Sequence, residues 1–108
     1  MSKQQMPAGV AHAVIDRAYY MCEAMIPAVC SQKGTELHHR KLRSQGGEHT
    51  VDNLALLCTH CHRWCHDHPA QAVERGLIVR STHDPSETKV RYRNGTMVNL
   101  KDVDPNYY

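Results

Sequence analysis

The sequence predicts a small α+β domain. It consists of a β-hairpin running into a helix, stapled by a structural zinc, with flanking helices and a C-terminal β-hairpin. Three observations carry this expectation. Cys58 and Cys61 form a C-x2-C pair where an apolar run meets a helical pattern, a corner that lets two sulfurs converge on one tetrahedral ion; Cys22 and Cys30 offer the second pair. Apolar residues recur at helical spacing through Ala11, Val14, Ile15, Ala18 and Tyr19. Asn94-Gly95 separates two alternating segments, which is a strong short-range hairpin signal.

Taken in order, residues 1–10 are polar and contain Pro7 and Gly9, so a disordered N-terminus is expected before an amphipathic helix from Ala11 to about Met21. Residues 23–34 read as an irregular loop broken by Pro27 and closed by Gly34. Thr35-Glu36-Leu37-His38-His39 reads as a short strand, and Ser44-Gln45-Gly46-Gly47 supplies turn chemistry. The compact apolar run from Asn53 to Cys58 is the returning strand. Thr59 can cap a helix carrying His60 to about His68, and Pro69 can open a second helix over 70–75 that stops at Gly76. Leu77-Ile78-Val79 reads as a short strand. Val90–Arg93 and Thr96–Leu100 then pair around a type I′ turn, and 102–108 is a polar tail.

A chain of 108 residues has room for one core, and Phe is absent while Trp64 is the only tryptophan. A domain of this size buries only about two-thirds of its unfolded surface, so a metal staple is expected to matter. Nothing at the N-terminus reads as a signal peptide and no run is long enough to span a membrane. A cytoplasmic, reducing setting is therefore expected, in which metal ligation suits the cysteines better than disulfides. The alternative for Cys22 and Cys30 is a pair of ordinary buried thiols. Cys65 reads as a small core residue and His60 as an exposed side chain. A redox role for the C-x2-C pair lacks the surrounding βαβ pattern. The net charge of +2 is mild, but residues 38–43 read His-His-Arg-Lys-Leu-Arg and Arg63 lies beside the ligand cluster. A local basic face of this kind suits a phosphate backbone.

The histidines suggest a second metal. On a helix, His62 and His66 lie one turn apart with Cβ atoms about 6 Å from each other, which lets two imidazoles share an ion. On a strand, His38 and His39 point to opposite faces, so one can face the metal while the other faces a water. That division suits phosphodiester hydrolysis, where a neutral imidazole takes a proton and a cation absorbs charge. A purely structural Cys/His finger using His62 or His66 is the competing reading.

Leu37-His38-His39-Arg40, then Asn53-Leu54, then Cys58-Thr59-His60-Cys61-His62 with His66, together resemble the HNH endonuclease motif over roughly Cys22 to Val79. The Arg43–Gly47 turn and the His68-Pro69 junction resemble the phage-type members. The resemblance implies a ββα-metal finger and a nuclease domain over 11–80, with 81–108 a hairpin and tail packed on the same domain. It implies a metal-dependent DNase in which His39 is the general base and His38, His62 and His66 hold the catalytic divalent ion (Mg2+, Mn2+, Ni2+ or Zn2+). Cys22, Cys30, Cys58 and Cys61 would hold the structural Zn2+. Asn53 would hydrogen-bond backbone across the loop and hold the strand bearing His39 in place. Arg40, Lys41, Arg43 and Arg63 are candidates for phosphate contacts. The implied partners are DNA and a phage protein such as a packaging component, in a bacterial host cytoplasm. The implied products carry 5′-phosphate and 3′-hydroxyl ends. Two departures stand out: many relatives carry Asp where this chain has His38, which bears on the working metal, and the first cysteine pair is usually a tight C-x2-C. The alternative function is a catalytically silent, zinc-stapled module that binds DNA or protein within a phage complex.

Overall fold

The computed structural model describes residues 5–103; the expectations for residues 1–4 and 104–108 lie outside the described residues. The first helix, α1 (Ala8–Ala18), starts three residues earlier than its apolar spacing suggested, because Pro7 in extended conformation stands at the N-cap position. It also stops earlier, at Ala18. Tyr19 takes the left-handed conformation at φ 54°, and the Tyr20 N–H closes on the Ile15 carbonyl at 3.2 Å. This is a Schellman-type ending made without glycine, so the sequence carried no stop signal for it.

Two strands, β1 (Glu36–His39) and β2 (Leu54–Leu57), pair antiparallel with Glu36 opposite Leu57 and His39 opposite Leu54. All four β2 residues are buried because the strand lies between two cores. Leu54 and Leu56 pack with Val14 and Ala18 of α1. Ala55 and Leu57 face the cysteines and the second helix, α2 (Thr59–Asp67). Strand alternation thus puts successive side chains into different cores. The N-cap of α2 is Cys58 rather than Thr59: its sulfur accepts the Cys61 N–H at 3.2 Å. A short α3 (Pro69–Glu74) follows, with proline in its first turn and Gly76 at φ 74° just beyond its end.

Leu77–Val79 is not a strand. The Leu77 and Ile78 N–H groups return to the Ala72 carbonyl, and Val79 donates to the Arg40 carbonyl at 2.9 Å. The second hairpin is present as β3 (Val90–Arg91) and β4 (Met97–Val98), but its turn differs from the expected type I′. Gly95 donates to the Tyr92 carbonyl and Tyr92 to the Thr96 carbonyl, both at 2.8 Å, and only Gly95 of the loop takes positive φ. The loop is therefore three residues long, a type I turn closed by a left-handed glycine.

A buried polar knot ties these parts together. The Arg17 guanidinium donates twice to Glu23, at 2.7 and 2.8 Å, and also to the Val51 and Leu54 carbonyls. Glu23 in turn accepts the Leu56 N–H at 2.9 Å and the Tyr92 hydroxyl at 2.8 Å. One carboxylate thereby joins α1, the cysteine loop, β2 and the C-terminal hairpin. Glu23→Ala should cost roughly 3–5 kcal/mol, because it leaves the Arg17 charge buried without a counterion. Denaturant unfolding of the zinc-loaded variant checks this, and a change below about 1 kcal/mol would show the knot to be incidental.

Candidate metal centres and active site

The cysteine cluster is assembled from the loop after α1 and the first turn of α2. Cys22, Cys30, Cys58 and Cys61 place their sulfurs within 4.8 Å of one another. Backbone N–H groups already point at them: Met25 to Cys22, Gln32 to Cys30 at 3.1 Å, and Ser31 and Cys61 to Cys58. Such donors favour thiolate over thiol. The hydrogen bond from Cys61 pulls Cys22 down to about 5, while the same contact pushes Cys61 up. Burial lifts Cys30 to about 11. Cys22 and Cys58 are thus held toward the thiolate, while Cys30 and Cys61 keep their protons more firmly. Four converging soft donors with a buried setting fit a tetrahedral zinc. Cys65 stays out of the cluster, fully buried in the core, and burial raises its thiol to about 12. Tyr19, Tyr20, Met25, Ala28 and Gln32 are the described non-glycine residues at positive φ, and all of them flank or lie within this loop. The loop therefore stores strain, on the order of 1 kcal/mol or more per residue, that something must hold in place.

The second cluster joins the strand to the helix. His38, His62 and His66 each present one ring nitrogen within 4.8 Å of the others. His38 is buried, and its Nε2 lies 2.6 Å from the Leu77 carbonyl. A carbonyl can only accept, so Nε2 carries the proton and Nδ1 holds the free lone pair. His62 Nδ1 lies 2.5 Å from Glu36 Oε1, which leaves its Nε2 as the lone-pair atom. Glu36 also accepts the Thr59 hydroxyl, and its contact with His62 holds the carboxyl below the usual range. A carboxylate behind a ligating imidazole fixes ring orientation and raises basicity. Glu36 was not among the sequence-predicted residues, although its place two residues before His38 put it on the same strand face. His66 stands one turn along α2, its ring centroid 5.0 Å from that of His62. Two of the three imidazoles are thus already set in the tautomer a metal requires, and the donor set fits a divalent ion of borderline softness.

Burial pushes His38 down to about 4. Its folded pKa lies below the unfolded value near 6.5, so the unfolded chain binds the extra proton first. Stability from this residue is complete above pH 6.5 and falls by up to about 3 kcal/mol as pH drops toward 4. Urea unfolding across that window should be less steeply pH-dependent in His38→Gln than in the parent. Identical slopes would contradict the assignment.

His39 alternates to the other face and is only partly buried. Its Nε2 sits 3.0 Å from His49 Nδ1, and burial first, then His49 and Arg43, lower its affinity for protons. An open cleft of about 460 Å³ runs past His38, His39 and His66, with Leu42, Pro69 and Arg80 on its walls. Asn53 is buried, and its side chain grips both limbs of the intervening loop. Oδ1 accepts the Lys41 N–H at 2.7 Å, and Nδ2 donates to the Lys41 and Glu48 carbonyls at 3.0 Å each. The loop closes so tightly that a Cβ on Gly47 would lie 1.8 Å from the Lys41 carbonyl oxygen.

Residues 22–68 match the family model of the HNH endonucleases. The match takes in a little under half of the chain. Neither a curated protein nor a solved structure matches the chain. The matched HNH segment takes in both clusters, His39 and Asn53, while α1 and the β3–β4 hairpin pack on it from outside through Arg17 and Tyr92. No helix among the described residues is long and apolar enough to cross a membrane.

The basic residues of the HNH segment separate into two kinds. Arg40, expected to face phosphate, is fully buried instead. Its guanidinium donates to the Gly76, Asp52, Pro85 and Thr88 carbonyls, so it stitches the loops behind the site and has no surface to offer. Strand alternation explains this: Arg40 follows His39 and shares the inward face of His38. Lys41 reaches the His83 carbonyl at 3.1 Å. Arg43 is exposed and donates to the Gly47 carbonyl. Arg63 is exposed on α2 beside Asp67 at 3.5 Å.

Proposed function

We propose that the protein is a metal-dependent DNA endonuclease, with His38, His62 and His66 as ligands of one divalent cation and His39 as the general base. The observation that carries this is the convergence of one ring nitrogen from each of His38, His62 and His66 while His39 faces the cleft beside them. When bound, the cation supplies Lewis-acid stabilisation of charge on the phosphate and the departing 3′ oxygen. His38 is neutral near pH 7 because it is buried, which keeps its lone pair available. His39, likewise held below its ordinary value, is neutral and ready to accept a proton from the attacking water. Asn53 keeps the loop beside His39 in register through its three backbone contacts.

The four cysteines hold the structural zinc that fixes the start of α2, and with it His62 and His66. Lys41, Arg43 and Arg63 supply phosphate contacts that position the strand without reading bases, and Arg80 on the cleft wall joins them. A catalytically silent module would need no such imidazole arrangement. Supercoiled plasmid incubated with magnesium, manganese, nickel or zinc should be relaxed by the parent protein and left intact by His62→Ala. Intact plasmid with all four metals would overturn the reading.

A further inference from the structure

The nucleophile-side histidine has a partner that the motif spacing does not single out. His49 lies in the loop between β1 and β2, partly buried, with its Nδ1 3.0 Å from His39 Nε2 and the two ring centroids 5.1 Å apart. The approach is held from both sides by one side chain. Asn53 takes the Lys41 N–H just beyond His39 and donates to the Glu48 carbonyl just before His49. Arg43 adds a bond to the Gly47 carbonyl within the same loop.

We propose that His49 is a positioning residue for His39: its Nδ1 lone pair accepts the Nε2–H of His39 and so fixes the tautomer whose Nδ1 is free to act as base. The inference rests on the reading of His39 as general base. Neutral imidazole carries one proton, and the hydrogen bond made by one nitrogen decides which nitrogen has the lone pair. With Nε2–H committed to His49, Nδ1 is the atom left to take a proton from water. The water oxygen then forms the new bond to phosphorus. The bond from phosphorus to the 3′ oxygen breaks with its electron pair, and solvent protonates that oxygen. The proton between His39 and His49 stays on His39. As His39 becomes a cation, this hydrogen bond becomes charge-assisted and strengthens. The contact therefore favours the transition state over the ground state, and its loss belongs in kcat rather than KM.

The test uses the full chain loaded with zinc and the activating metal. His49→Ala should lower kcat for plasmid nicking by about ten- to a hundredfold. KM, metal content and melting temperature should be those of the parent. His49→Gln, whose amide oxygen can accept the same hydrogen, should recover a measurable part of the rate. Nicking by His49→Ala at the parental rate, with His39→Ala inactive, overturns the role of His49 and leaves His39 as base. Nicking by His39→Ala at the parental rate defeats the underlying reading instead. Nitrogen-15 shifts of the imidazoles in the parent protein give an answer that needs no variant to fold. They should show His39 protonated at Nε2 and bare at Nδ1, and the opposite tautomer overturns the proposal.

Discussion

His39→Ala is expected to lower metal-dependent nicking by roughly a thousandfold, within the range that loss of a positioned general base produces. The fold should survive the change. His39 is partly buried on the cleft side of β1, and its backbone pairing with Leu54 does not depend on the side chain. Zinc content and the binding of a second metal should also be retained, since His39 is not one of the three converging imidazoles. Plasmid relaxation at saturating metal, read beside thermal unfolding, checks both halves. A variant that nicks at the parental rate would remove the base assignment. One that is inactive because it has unfolded would place His39 in the core rather than in the chemistry.

Zinc removal should have the largest effect on stability. Structural zinc binds to small finger peptides with about 10–16 kcal/mol near pH 7, whereas a domain of this size holds together by about 5–15 kcal/mol in total. The four-cysteine site ties the strained loop carrying Cys22 and Cys30 to the N-terminus of α2. Excess chelator at neutral pH should therefore abolish the cooperative unfolding transition, and added zinc should restore it. Cys58→Ser should weaken zinc binding and lower the melting temperature by well over ten degrees, given that about 1 kcal/mol moves a domain of this length by roughly 4–8 °C. Cys58 is both a member of the four-cysteine cluster and the N-cap of α2, so its loss should act twice. A variant that melts like the parent with full zinc content would show the site to be misassigned.

The hairpin–helix centre was legible because its signals are local. The apolar run of β2, the C-x2-C corner and the i, i+4 histidines each follow from the period of one element. What escaped the sequence depended on long-range satisfaction of polar groups. Arg40 looks like a surface cation in a basic run, yet four carbonyls from three distant segments solvate it in the interior. The Arg17–Glu23 pair gave no sequence signal for the same reason, because its partners on β2 and at Tyr92 are far along the chain. Glu36 and His49 became visible only once the strand register and the loop fold placed them against His62 and His39. The end of α1 was hidden because a tyrosine takes the left-handed position usually given to glycine. The Asn94-Gly95 pair marked the second hairpin correctly. Its register, with Arg91 opposite Met97 and Tyr92 bonded to Thr96, leaves three residues for the loop, where a type I′ turn has two.

Anomalous diffraction from crystals grown with zinc and soaked in manganese tests the account most directly. Two peaks are expected: zinc at the centre of Cys22, Cys30, Cys58 and Cys61, and manganese within about 2.3 Å of His38 Nδ1, His62 Nε2 and a nitrogen of His66. His39 should stay unligated beside the second peak. A single peak at the cysteines, or a manganese ion seated away from these three rings, would contradict the hydrolytic account.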